Sequence, residues 1–223
     1  MPDPTMRELT LSQFLDAVAS EAPVPGGGAV AALAGASAAA LLRMVSALAL
    51  RRTKDPAALP ALTSLAERGR ILQVRFEELA DADVAAYRSV AEALSLPRST
   101  DEERVTRSAK LQAALWRAAE VPLETARRSI EALHLAAEVA PLCPRVAHSD
   151  LVTAIHLLQS TCASALANVD ANALFLDETK SRRELARSRM EIDAVVRARA
   201  AEVLGLLERG LTGWLPPAAG SGR

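Results

Sequence analysis

Pro23-Val24-Pro25-Gly26-Gly27-Gly28 runs directly into Ala29–Leu50, a stretch made almost wholly of Ala, Leu, Val, Gly and Ser. Proline breaks a helix interior and glycine loses the most backbone entropy there. The segment therefore predicts a breaker followed by the start of a long helix. Such a start carries unpaired N–H groups and the positive end of the helix dipole, which together attract an anion. Glycine also lets another group come close to the backbone. Two readings stand side by side: a ligand loop at a helix N-terminus, or a tight helix–helix connection.

Working outward, helical periodicity dominates and no run of β-branched residues alternates as a strand would. A short helix is expected over Leu11–Glu21 with Thr10 as its cap, and a second over Gly28–Arg52. A third should run from Ala57 to Leu94, with Pro60 in its first turn, where a missing N–H costs nothing. Ser99-Thr100-Asp101-Glu102-Glu103 is a capping signature, opening a fourth helix from Asp101 to Glu138. Pro122 falls inside that helix and predicts a kink or break near Ala118. A loop at Pro141-Leu142-Cys143-Pro144 precedes a fifth helix, Asp150–Thr179, capped by Ser149 or His148; a sixth covers Arg183–Gly210. Long helices joined by short loops predict an all-α fold, an antiparallel bundle of about six helices. One domain is expected over residues 1–223, with its core at 9–210 and a tail at 211–223.

Apolar residues make up 50% of the 223 and aromatics only 3%, so the core must be built from Ala, Leu and Val. Such a core buries less apolar area per residue, and association with further copies recovers it, so a homodimer or higher homo-oligomer is expected. A formal charge of −1 argues against a nucleic-acid surface, which needs clustered cations. The uncharged stretch Ala29–Leu42 is shorter than the roughly 20 residues of a bilayer span, so no membrane is expected. Cys143 and Cys162 lack metal-ligand spacing and no secretory signal is visible, which points to free thiols in the cytoplasm.

Asp83 stands out among the candidate functional residues. It shares one helix face with Leu79, Ala86, Tyr87, Val90 and Leu94. A carboxyl buried on an apolar stripe has a raised pKa and suits proton transfer; the alternative is a structural pair with an arginine. Asp81 groups with Glu77 and Arg88 as a solvated charge. In His148-Ser149-Asp150, Ser149 caps and Asp150 complements the dipole, or else Asp150 or His148 handles a proton. Asn168 and Asn172, one turn apart, hydrogen-bond either a neighbouring helix or a polar ligand ring. Arg51, Arg52 and Lys54 form a solvated helix end or an anchor for a carboxylate tail. His134 and His156 read as packed or surface residues, and no pair of histidines has zinc spacing.

Phe14-Leu15-Asp16 followed by Pro23-x-Pro-Gly-Gly-Gly-x-Val-Ala-Ala-Leu-Ala-Gly resembles the opening of the formiminotetrahydrofolate cyclodeaminase domain, which also occurs as stand-alone methenyltetrahydrofolate cyclohydrolases. Asp81-Ala-Asp83-Val-Ala-Ala86-Tyr87 and Leu94-Ser-Leu96-Pro97-Arg98 are similar to later family segments, with Arg98 where the family carries lysine. Arg107, Ala118-x-x-Val121-Pro122, Ser149-Asp150 and Asn168-Val169-x-x-Asn172 follow in order. The resemblance implies an all-helical, dimeric or higher protein that binds a reduced folate, without metal or other cofactor. It implies hydrolysis of 5,10-methenyltetrahydrofolate, since a cyclodeaminase alone would depend on a separate formiminotransferase. The alternatives are formiminotetrahydrofolate cyclodeaminase, or a non-catalytic helical folate-binding or scaffold protein. On this reading Asp83, Tyr87 and Asp150 are catalytic. Pro25, Gly26, Gly27, Gly28, Arg51, Arg52, Asn168 and Asn172 bind substrate, the two arginines facing its glutamate.

Overall fold

The structure, a computed structural model, describes residues 5–177 and 179–211, with side chains described as far as 207. The expected tail lies outside the described residues beyond Leu211. Six α-helices follow one another: α1 (Leu11–Val18), α2 (Gly27–Arg52), α3 (Leu59–Ser95), α4 (Asp101–Val139), α5 (His148–Ala173) and α6 (Lys180–Leu211). Short 3-10 turns lie at Pro56–Ala58, Ala140–Leu142 and Arg145–Ala147. No strand occurs among the described residues, and the fold is an all-α antiparallel bundle.

The helix boundaries follow local chemistry. Thr10 and Gln13 form a capping box on α1, as Thr100 and Glu103 do on α4. Helix α1 stops before the expected Glu21 because Ser20 Oγ bonds the Ala17 carbonyl and accepts from Ala22 N–H, pulling the chain out of register. Pro60 sits in the first turn of α3, while Asp55 caps the 3-10 turn before it. Ser149 does not cap α5: the helix starts at His148 straight from the preceding 3-10 turn, with no side-chain cap. That helix ends at Ala173 rather than Thr179, and Thr179 Oγ1 instead accepts from Arg182 N–H in the first turn of α6. Helix α4 runs unbroken through Pro122.

Three glycines set the spacing of α2 and α3. A Cβ on Gly28 would meet Asp83, on Gly35 the Phe76 ring, and on Gly69 the backbone of Arg43. As one index rises along α2 the other falls along α3, so the pair is antiparallel. A bidentate Arg68–Glu138 pair and an Arg107–Leu94 bond fix α4 antiparallel to α3. Asn172 to Ala118 does the same for α5 on α4, and Arg189 to Asp170 for α6 on α5. Helices α2 to α5 thus form an up-down-up-down ring, with α6 laid against α4 and α5. Phe76, Leu42, Leu133, Leu151, Ile155 and Leu158 are sealed inside it.

By length and composition α2 could cross a bilayer, with a mean hydropathy of 1.7, which corrects the expectation taken from Ala29–Leu42 alone. Its inward half is nonetheless the seam on which α3 and α5 pack.

The glycine contacts generate a contrast. Gly35→Ala places a Cβ 2.6 Å from the fully buried Phe76 ring. Overpacking of about 1–3 kcal/mol should exceed the propensity gain of about 1 kcal/mol. Gly205 has nothing within 4 Å of its would-be Cβ, so Gly205→Ala should stabilise. Thermal unfolding should show Tm moving down for the first and up for the second.

Candidate active site

The first turn of a helix leaves four N–H groups without partners. Helix α2 begins at a glycine cap, Gly26, which supplies no side-chain bond. A carboxylate from another helix takes that place: Asp83 of α3 accepts from the Ala29 N–H. A Cβ on Gly28 would lie 2.0 Å from Asp83 Oδ1 and 2.5 Å from its Cγ. Gly28 is therefore the notch that admits the carboxylate. Gly26 and Gly27 have only ordinary contacts at 3.7 Å. The close approach expected of the glycine loop is real, but the approaching group is the protein's own carboxyl. Burial holds the Asp83 carboxyl above its ordinary value, and the Ala29 N–H pulls it the other way. The group that meets it is a main-chain N–H, not an arginine.

Asp83 faces a cleft of about 480 Å³. Pro23, Val24 and the glycines Gly26, Gly27 and Gly28 close one side, and Ala86, Tyr87, Val90 and Leu94 of α3 continue from Asp83. Leu111, Leu115 and Ala118 of α4 face them, and Asn168, Asn172 and Phe175 complete the wall. Tyr87 is 44% exposed, one turn beyond Asp83, and its hydroxyl is open to a ligand. Pro25 does not line the cleft; its neighbours on either side do.

Asn172 resolves the proline in α4. Pro122 has no N–H to give to the Ala118 carbonyl. Asn172 Nδ2 supplies it from α5 at 2.9 Å, and also bonds the Asn168 carbonyl at 3.0 Å. Of the two sequence readings, contact with a neighbouring helix is therefore realised, and the helix stays continuous. Both hydrogens of the amide are used, so Oδ1 is the side chain's remaining polar atom in the cleft. Asn168 donates to its own Ser164 carbonyl.

Two expected groups are not brought to this cleft within the chain. Arg51 and Arg52 are exposed at the far end of α2. At about 1.5 Å per residue they lie ~36 Å from Gly27. Asp150 begins α5 while Asn168 and Asn172 end it, a separation of ~27 Å from Asp150 to Asn168. His148 lies at that same distant end, its Nδ1 buried and without a bond. Asp81 is not a solvated charge: it is half-buried and accepts from Met6 N–H at 2.8 Å. Glu77 pairs with Arg7 at 3.0 Å. Together they pin the segment before α1 onto α3.

Phe175 and Gln112 escaped the sequence reading. Gln112 Nε2 donates to the Phe175 carbonyl, and its Oε1 accepts from Asp177 N–H. The exposed Phe175 ring is thereby set at the cleft wall. Among the described residues no three His, Cys, Asp or Glu side chains group to hold a metal ion.

The Pro122–Asn172 link predicts non-additive stabilities. Asn172→Leu strands the Ala118 carbonyl and should cost about 1–3 kcal/mol. Pro122→Ala returns an N–H to that carbonyl, so adding it to Asn172→Leu should recover most of the loss. Urea unfolding of both single variants and the double reads the coupling; strict additivity would mean the two residues do not share that oxygen.

Comparison with known proteins places the chain among relatives. The sequence profile described as formiminotransferase-cyclodeaminase matches residues 10–191. The chain is 37% identical over 169 residues to a methenyltetrahydrofolate cyclohydrolase of Methylorubrum extorquens, covering 76% of this chain and 81% of that one. It is 28% identical over 207 residues to the formimidoyltransferase-cyclodeaminase of Mus musculus, covering 93% of this chain but 38% of that protein. The crystal structure of formiminotetrahydrofolate cyclodeaminase from Thermotoga maritima superposes with a TM-score of 0.81 at 27% identity, over 92% of this chain and 98% of that one. This chain, an all-α bundle throughout its matched length, belongs to the formiminotransferase-cyclodeaminase family.

Proposed function

We propose that this chain hydrolyses 5,10-methenyltetrahydrofolate to 10-formyltetrahydrofolate. The observation that carries the reading is the sheltered Asp83 carboxyl, held on the Ala29 N–H and facing a preformed cleft. Its name-bearing support is the 37% identical cyclohydrolase. Water adds to the carbon bridging N5 and N10, losing a proton to Asp83. The C–N5 bond then breaks as N5 takes that proton back and the hydroxyl on the tetrahedral carbon gives up its own to Asp83 and on to water, leaving the formyl group on N10 and releasing one proton overall. A carboxyl raised by burial can both accept and return that proton. Tyr87 stands one turn away to hold water or substrate.

The structural likeness to a cyclodeaminase supports a second reading. There N10 attacks a formimino carbon and ammonia leaves, through a similar tetrahedral carbon and the same proton carrier. A scaffold role has less support, because a buried carboxyl in an open cleft is a poor choice for stability alone. Hydrolysis is read as loss of the methenyl chromophore, and cyclodeamination as its gain with release of ammonia.

The same reading includes a homodimer, in the cytoplasm. Val30, Ser37 and Met44 are exposed along α2, and Val30, Ala34, Ser160, Ser164 and Ala167 line a shallow groove between α2 and α5. Uncharged small residues let a second copy approach closely, and that copy, rather than lipid, would cover the outer half of α2. Light scattering should give twice the 23.6 kDa chain mass; a monomer at working concentration rules the dimer out.

Asp83→Asn keeps the shape and the bond to Ala29 but removes the base. It should lower kcat/KM by about 100-fold or more. Stability should move the other way. With the folded pKa raised, the stabilising contribution of Asp83 is present in acid and is lost as pH rises through that folded pKa. The asparagine variant should therefore gain in Tm over the parent as pH rises, with the smallest difference in acid. An active asparagine variant would remove Asp83 from the chemistry.

A further inference from the structure

With Arg51 and Arg52 at the opposite end of α2, the cleft lacks the cation expected for an anionic tail. Leu111, Leu115 and Ala118 face the cleft from α4 at helical spacing. Continued one turn toward the N-terminus, the same stripe reaches Arg107, and then Arg104. Arg104 is occupied by Asp101 and by the carbonyls of Arg98 and Ser99. Arg107 has no carboxylate partner among the described residues. Its Nε and Nη2 donate to one oxygen, the Leu94 carbonyl, at 3.4 and 3.2 Å. A guanidinium carries five N–H donors, so most of them remain for a ligand. Leu94 itself lines the cleft, and the half-buried Arg107, held on the Leu94 carbonyl, stands beside that end without lining it.

The cleft therefore has a polarity order. Asp83 lies at the glycine end. Leu94 is eleven residues further along α3, about 16 Å away. The wall between them is apolar, built from Ala86, Val90, Leu111 and Leu115, with Phe175 held beside it by Gln112. Arg107 closes the sequence. A ligand that matches has a reacting polar head, a flat apolar middle and an anionic end.

We propose that Arg107 binds the glutamate carboxylate of the substrate, whose arm lies along α3 with its tail toward the turn between α3 and α4. The assignment rests on the folate reading above and gives that substrate a direction. Two carboxylate oxygens can meet the guanidinium side by side, while the Leu94 carbonyl, an orphan of the α3 C-terminus, holds the guanidinium in place.

The test is calorimetric titration of the full chain with 5-formyltetrahydrofolate and with the methylamide of 5-formyltetrahydropteroate, which has the same ring, arm and amide but no carboxylate. Arg107→Gln should weaken binding of the first about tenfold or more and leave the second unchanged. Arg107→Lys should fall between, keeping charge but losing the paired geometry. An equal loss on both compounds would mean that Arg107 only supports the fold and overturns the assignment. An unchanged affinity for the glutamate compound overturns it as well, as does failure of the parent to bind either. Because binding needs no turnover, the two readings fail separately. Arg107-dependent binding without methenyl hydrolysis removes the proposed reaction and keeps the anchor. Hydrolysis with Arg107-independent binding does the reverse.

Discussion

One contact organises this molecule: the Asp83 carboxylate on the Ala29 N–H, admitted by the missing side chain of Gly28. A helix that starts on three glycines has no side chain with which to cap itself. The cap must then come from a neighbour, and the neighbour must come very close. That single requirement joins two features of the fold that lie far apart in the chain. It fixes how near α3 lies to α2, and it places an acid at the mouth of a cleft. Burial and the N–H act on the carboxyl in opposite directions, and burial prevails. An acid tuned in this way is uneasy when charged and useful when it must exchange a proton.

The closeness has a second consequence. Gly35 and Gly69 extend the same narrow spacing along the pair, so that Phe76 fits into a groove where any side chain would collide. Alanine serves the rest of the core for the same reason. Small residues on both faces of α2 let α3 and α5 pack inside while leaving Val30, Ser37 and Met44 exposed outside. The composition that produces the narrow bundle thus also produces the surface on which another copy would rest.

Much of this was open to a reader of the chain. The Thr10 and Thr100 boxes, Pro60 in a first turn and the acid on the Leu79–Leu94 face are local patterns, and local patterns survive folding. The expected groups that the chain keeps away from its own cleft share one cause. Arg51 and Gly27 both carry real helix-end signals, but they are the two ends of one helix some 36 Å long. Asp150 and Asn168 stand in the same relation on α5. Elements at opposite ends of a rigid rod cannot meet one ligand within a chain, and the predicted helix lengths already contained that exclusion. Phe175 and Gln112 are different. Their meeting depends on how the turn after α5 folds back on α4, and no spacing in the sequence records it.

Pro122 shows how a local penalty can become a tool. A proline in a helix interior removes one donor and leaves one carbonyl bare. Had the Ala118 carbonyl met only hydrocarbon, the loss would stand. Here Asn172 reaches across from α5 to meet it, and in doing so its amide spends both hydrogens on main-chain oxygens. The amide can no longer turn over without setting its oxygen against two others. A side chain that is ordinarily free to present either face is thereby fixed as an acceptor beside the cleft. The defect in one helix sets the polarity of a group on another, so the proline shapes the cleft although it does not line it.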